Sequence, residues 1–392
     1  MYYFFCFFCL VTCLAAKPLE VEVSACSAIL MNAETGAILY EKNAHLRSFP
    51  ASTTKVATIL YILDQKKPRF DQMVTVSPEA LKMKPMKQVG DFPSYWGEFD
   101  GTRMGILKGE ILSVDALLHG LIMASGNDAA NALAVALSGS VPQFLDEMNQ
   151  YLRDLGCQNT QLRNPHGLHH PEHYTSAYDL CLMAQKGLQI PKFREVVSCV
   201  SYARPKTNKQ KAAEMRAANP LIRPGRKHYY PKAIGVKTGF HSNAKDALVA
   251  AAEHEGRTLI AVVLGCPPKT GDRYKDAIRL FEKAFSEVRE TKRFFGPEQP
   301  FSREVPGAKT PLQAALKSEL AISFYPSEEP QCKALLQWDD VQLPIRKGQK
   351  VGEVQICDEK GSVIKRGDLL AKEGVSGTFF FVLKEKINRI FH

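Results

Sequence analysis

The spacing of apolar positions changes period several times along the chain, and each change marks an element. Ala28-Ile29-Leu30-Met31 and Ala37-Ile38-Leu39-Tyr40 flank the turn-rich Asn32-Ala33-Glu34-Thr35-Gly36, which predicts a hairpin over 27–42. From Ser52 the period becomes helical, with Val56, Ile59, Leu60 and Leu63 at i, i+3, i+4 and i+7. Ser113 reads as the N-cap of a second helix that carries Val114, Leu117, Leu118, Leu121 and Ile122 on one side. That helix stops at Ser125-Gly126-Asn127, and helix resumes over 128–137. Residues 235–240, 247–252 and 258–264 are β-rich runs, and 274–285 is again helical. A hairpin, a helical middle, then a strand meander with a closing helix make an α+β domain.

Beyond it the texture changes. Pro297, Pro300, Pro306 and Pro311 punctuate a polar stretch over 292–312 that reads as a linker. Short alternating runs follow at Leu320/Ile322/Phe324, Val341/Leu343/Ile345, 351–357 and 363–365, which predict a small C-terminal all-β domain. The expected divisions are a leader at 1–15, a catalytic domain at 17–291, a β-rich domain at 292–376 and an amphipathic terminal helix at 377–392.

A chain of 392 residues, 45% hydrophobic and 23% charged, has an ordinary globular composition and room for two domains. Its first fourteen residues are uncharged and apolar, too few to span a bilayer, and run into Ala15-Ala16 and Lys17. This reads as a secretory signal cut after Ala15. Export permits disulfides, yet seven cysteines remain outside the leader, an odd number with no C-x-x-C, so free and mostly buried thiols are expected. The formal charge of +10 is concentrated: nine basic residues lie between Arg204 and Lys232 against Glu214 alone. Such a stretch is either a solvated loop or a rim that attracts carboxylates, and export disfavours nucleic acid as its partner.

Three short motifs carry the candidate chemistry. Ser52-Thr53-Thr54-Lys55 is S-x-x-K, Ser125-Gly126-Asn127 is S-x-N and Lys237-Thr238-Gly239 is K-T-G. At i and i+3 of a helix, Ser52 and Lys55 share a face, so an amine reaches the hydroxyl. Serine is a weak nucleophile until a base takes its proton. Lysine serves as that base only if burial or a neighbouring cation, here Lys237, lowers its pKa. Ser362-Val363-Ile364-Lys365 and Lys269-Thr270-Gly271 repeat two of the patterns, but the first lies in a β-hairpin pattern and the second in a loop after Pro267-Pro268. His166, His169, His170 and His173 are close in sequence, but Pro165, Gly167 and Pro171 break any helix that would align them on a metal, so they read as a loop lining. Neither a metal nor a cofactor is expected.

The ordered trio resembles the low-molecular-weight penicillin-binding proteins, the serine-type D-alanyl-D-alanine carboxypeptidases. The resemblance extends to Asn164-Pro165-His166-Gly167-Leu168, to Thr175-Ser176-Ala177-Tyr178-Asp179-Leu180, and to Pro344-Ile345-Arg346-Lys347-Gly348-Gln349 of the second domain. It implies a β-lactamase/penicillin-binding-protein-like transpeptidase fold, an antiparallel sheet with helices. Ser52 would be the acyl-ester nucleophile, Lys55 its proton acceptor and Ser125 a proton relay. Asn127, Lys237, Thr238 and Gly239 would bind substrate, and the backbone N–H groups of Ser52 and Phe240 would form the oxyanion hole. The substrate would be a peptidoglycan stem peptide, with β-lactams as covalent inhibitors and a part in cell-wall biogenesis and cell shape. The chain departs from the family where Ala218, rather than an Arg, precedes Asn219, which leaves Arg216, Arg223 or Arg226 to supply a second carboxylate contact, and where Phe240 replaces a frequent His.

Two alternatives stand beside this reading: a β-lactamase and a non-catalytic wall-binding protein. No E-x-x-L-N motif lies between Asn127 and Lys237, and the long second domain is foreign to the former; intact Ser52, Lys55 and Ser125 disfavour the latter. At the C-terminus Phe379, Phe380, Leu383, Ile387, Ile390 and Phe391 share one helical face. Fifteen residues from Thr378 are too few to span a bilayer but suit either its interface or a helix packed on the β-rich domain. The resemblance implies a peripheral anchor on the outer face of the bacterial cytoplasmic membrane, facing the periplasm.

Overall fold

In the run Leu259-Ile260-Ala261-Val262-Val263-Leu264 every side chain is buried, and alternate residues enter different cores. Ile260, Val262 and Leu264 join a core built mostly from helices, whereas Leu259, Ala261 and Val263 pack with Tyr274, Ala277, Leu280 and Phe281 of the closing helix. This is the period-2 alternation of a strand covered on both faces. The computed structural model describes residues 7–9, 17–85, 92–381 and 383. They divide into two units, Pro18–Ser286 and the residues from Glu287 onward together with Phe7–Cys9 and Lys17.

The first unit holds a five-stranded antiparallel sheet made of β1 (Ser27–Asn32), β2 (Ile38–Lys42), β3 (Ala233–His241), β4 (Lys245–His254) and β5 (Arg257–Cys266). The order across the sheet is β3-β4-β5-β1-β2, which leaves β3 on an edge. The predicted hairpin and the three-strand meander are therefore one sheet, joined by pairing of β5 with β1.

On one face lie α1 (Lys55–Tyr61), α2 (Val114–Met123), α3 (Asn127–Ser138), α4 (Val141–Asp154), α5 (Ala177–Leu188) and α6 (Pro191–Ser198); α7 (Asp272–Phe285) covers the other. Ser113 caps α2 as predicted, its Oγ accepting from Ala116 N at 3.1 Å, a contact worth about 1 kcal/mol. The helix after Ser52 differs from the one-faced expectation: every residue of α1 is buried, so it is a core helix surrounded on all sides.

In the second unit Lys333–Trp338, Lys350–Cys357, Val363–Ala371, Leu312–Leu316 and Phe301–Arg303 pair in that order, with Phe7–Cys9 on the outer edge of Lys333–Trp338. Two expectations are corrected here. The stretch read as a linker over 292–312 contains strand Phe301–Arg303 and the end of Glu290–Phe295, which pairs with Leu320–Phe324; its prolines flank the strands rather than interrupt them. Val341, Leu343 and Ile345 form no strand, because Pro344 offers no N–H to a ladder, and Ile345 meets only Val375 in an isolated bridge. Of the terminal segment, Phe379, Phe380 and Leu383 are exposed, while residues 382 and 384–392 lie outside the described residues, as do leader positions 1–6 and 10–15 and Ala16 after them. No helix among the described residues is long and apolar enough to cross a membrane.

Candidate active site

Ser52 sits in the turn Ala51–Thr54 that leads into α1. The turn is pinned from several directions. Thr53 Oγ1 donates to Pro50 O at 2.7 Å and Thr54 Oγ1 to Ala51 O at 2.8 Å. The Arg163 amide donates to His173 Nδ1 at 3.0 Å, so the ring proton lies on Nε2 and is given to Thr54 Oγ1 at 2.8 Å. Burial holds His173 down at about 3, so the ring stays neutral in this chain of bonds. Gly167 has φ +98°, and a Cβ there would lie 1.9 Å from Ala51 O, so only glycine lets its loop lie against the turn.

The edge strand closes the other side. Lys237 pairs with Val249 and Gly239 with Ala247, which places both on the helical face of the sheet. The bare face of Gly239 admits the turn: a Cβ there would lie 3.0 Å from Pro50 O and 3.2 Å from Ser52 N.

Lys55 is fully buried, and its Nζ has three neighbours: Ser52 Oγ at 3.1 Å, Asn127 Oδ1 at 2.8 Å and His166 O at 2.6 Å. Burial, and then the charge of Lys237, hold its pKa well below the usual lysine range, partly offset by Asp128. A neutral amine has two N–H groups and one lone pair. The Asn127 and His166 oxygens only accept, so they take both N–H groups and leave the lone pair for the Ser52 hydroxyl. His166 is itself buried, with Nε2 bonded to Tyr95 O at 3.0 Å, so its backbone carbonyl is held rigidly.

Ser125, with φ +54°, occupies the break between α2 and α3. Its buried Oγ has no hydrogen-bond partner among the described residues and lines the same groove as Ser52, Asn127, Thr238, Gly239 and Phe240. An orphaned hydroxyl in a groove of about 540 Å³ is a group poised for a ligand. Asp128, next to Asn127, accepts from the amides of Met104, Gly105 and Ile106 and so fixes one wall of the groove to the start of α3.

Lys237 is buried, and desolvation, followed by the charge of Arg273, lowers it to about 7. Arg273, on the first turn of α7, also lines the groove; its Nη1 donates to Gly239 O and to Asp246 Oδ1, both at 2.8 Å, and its Nε has no hydrogen-bond partner among the described residues. The sequence reading missed Arg273 as a cation lining the groove. Arg216 pairs with Glu214, Arg223 donates to Ala217 O, Arg226 is exposed, and none of the three lines the groove. The only local signal for Arg273 was its position two residues after the second K-T-G. Within the basic stretch Arg204 is buried against Glu110 and Lys232 pairs with Glu282, so the stretch is part structural and part solvated.

Of the seven described cysteines outside the leader, five are buried. Asp115, His119 and Glu195 gather in one place, but Lys192 Nζ lies 2.6 Å from both carboxylates and already supplies the cation there.

Residues 13–267 match the D-alanyl-D-alanine carboxypeptidase family, Peptidase_S11. The chain is 30% identical over 376 residues to the D-alanyl-D-alanine carboxypeptidase DacF of Bacillus subtilis, covering 94% of this chain and 90% of that one. Penicillin binding protein 6B of Escherichia coli superposes with a TM-score of 0.63 at 27% identity, over 90% of this chain and 97% of that one. Penicillin binding protein 5 of Haemophilus influenzae does so with a TM-score of 0.62 at 27% identity, over 92% and 100%. The chain thus belongs to the D-alanyl-D-alanine carboxypeptidase family, serine peptidases with the fold of the low-molecular-weight penicillin-binding proteins.

Proposed function

We propose that this groove removes the terminal D-alanine from peptidoglycan stem pentapeptides through an acyl-Ser52 intermediate. The observation that carries the reading is the buried Lys55 Nζ, 3.1 Å from Ser52 Oγ, whose other two neighbours, Asn127 Oδ1 and His166 O, can only accept. Lys55 takes the Ser52 proton as Oγ attacks the carbonyl between the two D-alanines. The backbone N–H groups of Ser52 and Phe240 stabilise the oxyanion. Ser125 Oγ relays a proton to the departing D-alanine nitrogen, and Asn127 holds the substrate amide. Protonated Lys237, Thr238 and Arg273 bind the terminal carboxylate, with the backbone of Gly239 beneath it. Water then hydrolyses the ester, and a β-lactam acylates the same oxygen. Incubation of the protein with a pentapeptide, with D-alanine release followed by mass spectrometry in Ser52 and Ser52→Ala proteins, tests this directly.

The leader and the C-terminal segment support export and attachment to the outer face of the cytoplasmic membrane. Phe379, Phe380 and Leu383 offer an exposed apolar set, whereas Phe381 turns back onto Gly307. That division of aromatics suits a segment anchored to its domain on one side and lying in a membrane interface on the other.

A further inference from the structure

Outside the groove, the basic stretch leaves one surface without counter-charge. Strands Ser201–Arg204 and Ala213–Arg216 pair as a hairpin, and its loop over 205–212 folds onto the turn at 107–111. Glu110 is the centre of that contact. It is fully buried, and its carboxylate accepts from Leu107 N at 2.8 Å, Thr207 Oγ1 at 2.7 Å, Gln210 Nε2 at 2.8 Å and Arg204 Nη1 at 3.3 Å. Asn208 bridges the same two segments: its Nδ2 donates to Gly109 O at 2.9 Å and its Oδ1 accepts from Ile111 N at 2.8 Å. The turn is in turn fastened to the groove wall. Thr102 Oγ1 donates to Ser125 O at 2.7 Å, Thr102 O accepts from Asn127 N at 3.0 Å, and Asp128 holds the amides of Met104, Gly105 and Ile106.

Lys108, Lys206, Lys209 and Lys211 are exposed on this platform, and none makes an ion pair among the described residues. The one acidic residue over 101–111 is Glu110, spent inside the contact, and 205–213 has none. Glu214, at the base of the hairpin, is taken by Arg216. Four cations that repel one another are therefore held together by a buried network rather than by neighbouring acids. A solvated face normally intersperses both signs, whereas a fixed face of one sign attracts a polyanion. We propose that the platform is an exosite for the polymeric substrate: it binds the carboxylates of stem peptides that flank, on the same glycan strand, the one in the groove, and takes no part in holding the peptide that is cut. The proposal rests on the carboxypeptidase reading. Every stem ends in a carboxylate both before and after its terminal residue is removed, so the strand stays attracted as its stems are trimmed one by one. Because the platform is hydrogen-bonded into the segment that carries Ser125 and Asn127, a strand with one stem in the groove has its neighbours on this side.

The test uses the full chain and one pentapeptide in two forms, free and carried on uncross-linked peptidoglycan strands, with D-alanine release giving kcat/KM per stem. Lys108→Gln, Lys206→Gln, Lys209→Gln and Lys211→Gln combined lower kcat/KM on the strands about tenfold or more at low ionic strength and leave the free peptide within about twofold. Raising salt from about 0.03 to about 0.3 M removes most of the unaltered protein's preference for strands and leaves the variant unmoved. The same four positions changed to Arg keep the charges and restore the strand rate. If the fourfold Gln variant melts early, Lys206→Gln with Lys209→Gln alone gives an intermediate loss on strands. Equal effects on both substrates, or none on either, overturn the exosite and leave the carboxypeptidase reading intact. Lost binding to anionic vesicles with unchanged strand kinetics assigns the lysines to a membrane surface and overturns the exosite too. Absence of D-alanine release from both substrates by the unaltered protein overturns the carboxypeptidase reading and the exosite with it.

Discussion

The amine of Lys55 lies 3.1 Å from the hydroxyl of Ser52, and the oxygens of Asn127 and His166 claim both of the N–H groups that a neutral amine possesses. The geometry therefore orients a lone pair as well as lowering a pKa. Removing the base should cost the proton transfer. Lys55→Ala should acylate with penicillin about 10²–10⁴-fold more slowly, while circular dichroism shows the fold retained. Acylation within tenfold of the unaltered protein would remove Lys55 from the role.

The two lysines titrate with opposite consequences. Proton loss from Lys55, below the ordinary lysine range, creates the base, so kcat/KM rises with pH on that limb. Proton loss from Lys237, near about 7 in the free protein, removes the cation that meets the substrate carboxylate, so kcat/KM falls on the other. A bell-shaped profile is expected, its limbs describing the coupled pair. Lys237→Arg, which keeps its charge, should lose the falling limb. A profile of the unaltered protein that climbs without a maximum to pH 10 would contradict this.

Arg273 should matter through the substrate carboxylate. Arg273→Ala should lower kcat/KM for a peptide ending in a carboxylate by about 10–100-fold, and much less for the corresponding terminal amide, as expected for a hydrogen bond to a charged group worth about 1.5–3 kcal/mol. Replacing Arg216, Arg223 and Arg226 together should leave the carboxylate-to-amide ratio unchanged, since none lines the groove. The reverse pattern would restore the basic stretch as the second contact.

Gly167→Ala should damage both fold and chemistry. The added Cβ meets Ala51 O at 1.9 Å at a φ of +98°. Thermal unfolding should show a loss of about 3 kcal/mol or more, with acylation of Ser52 slowed. Unchanged melting would mean that the turn does not depend on this contact.

The terminal segment should bind membranes without contributing to chemistry. Replacing Phe379 and Phe380 with Ser should release the mature protein from anionic vesicles while leaving penicillin acylation intact. Retained co-sedimentation would put the attachment elsewhere.

The three motifs that line the groove were legible because each is local: S-x-x-K, S-x-N and K-T-G each span a single turn or strand. The strands over 247–252 and 258–264 were legible because burial on both faces leaves unbroken apolar runs. Arg273 was not, since it reaches Gly239 only through the register that pairs Phe240 with Asp246 and the start of α7 beyond β5. The His166 contact was also hidden, because Lys55 uses its backbone carbonyl, which carries no side-chain signature.

The central claim is that Ser52 carries the acyl group, and peptide mapping by mass spectrometry after brief incubation with penicillin tests it most directly. The account predicts a single adduct on the Ser52 peptide, absent in Ser52→Ala. A label on the peptide containing Ser125 or Ser362, or an adduct that survives Ser52→Ala, would contradict it.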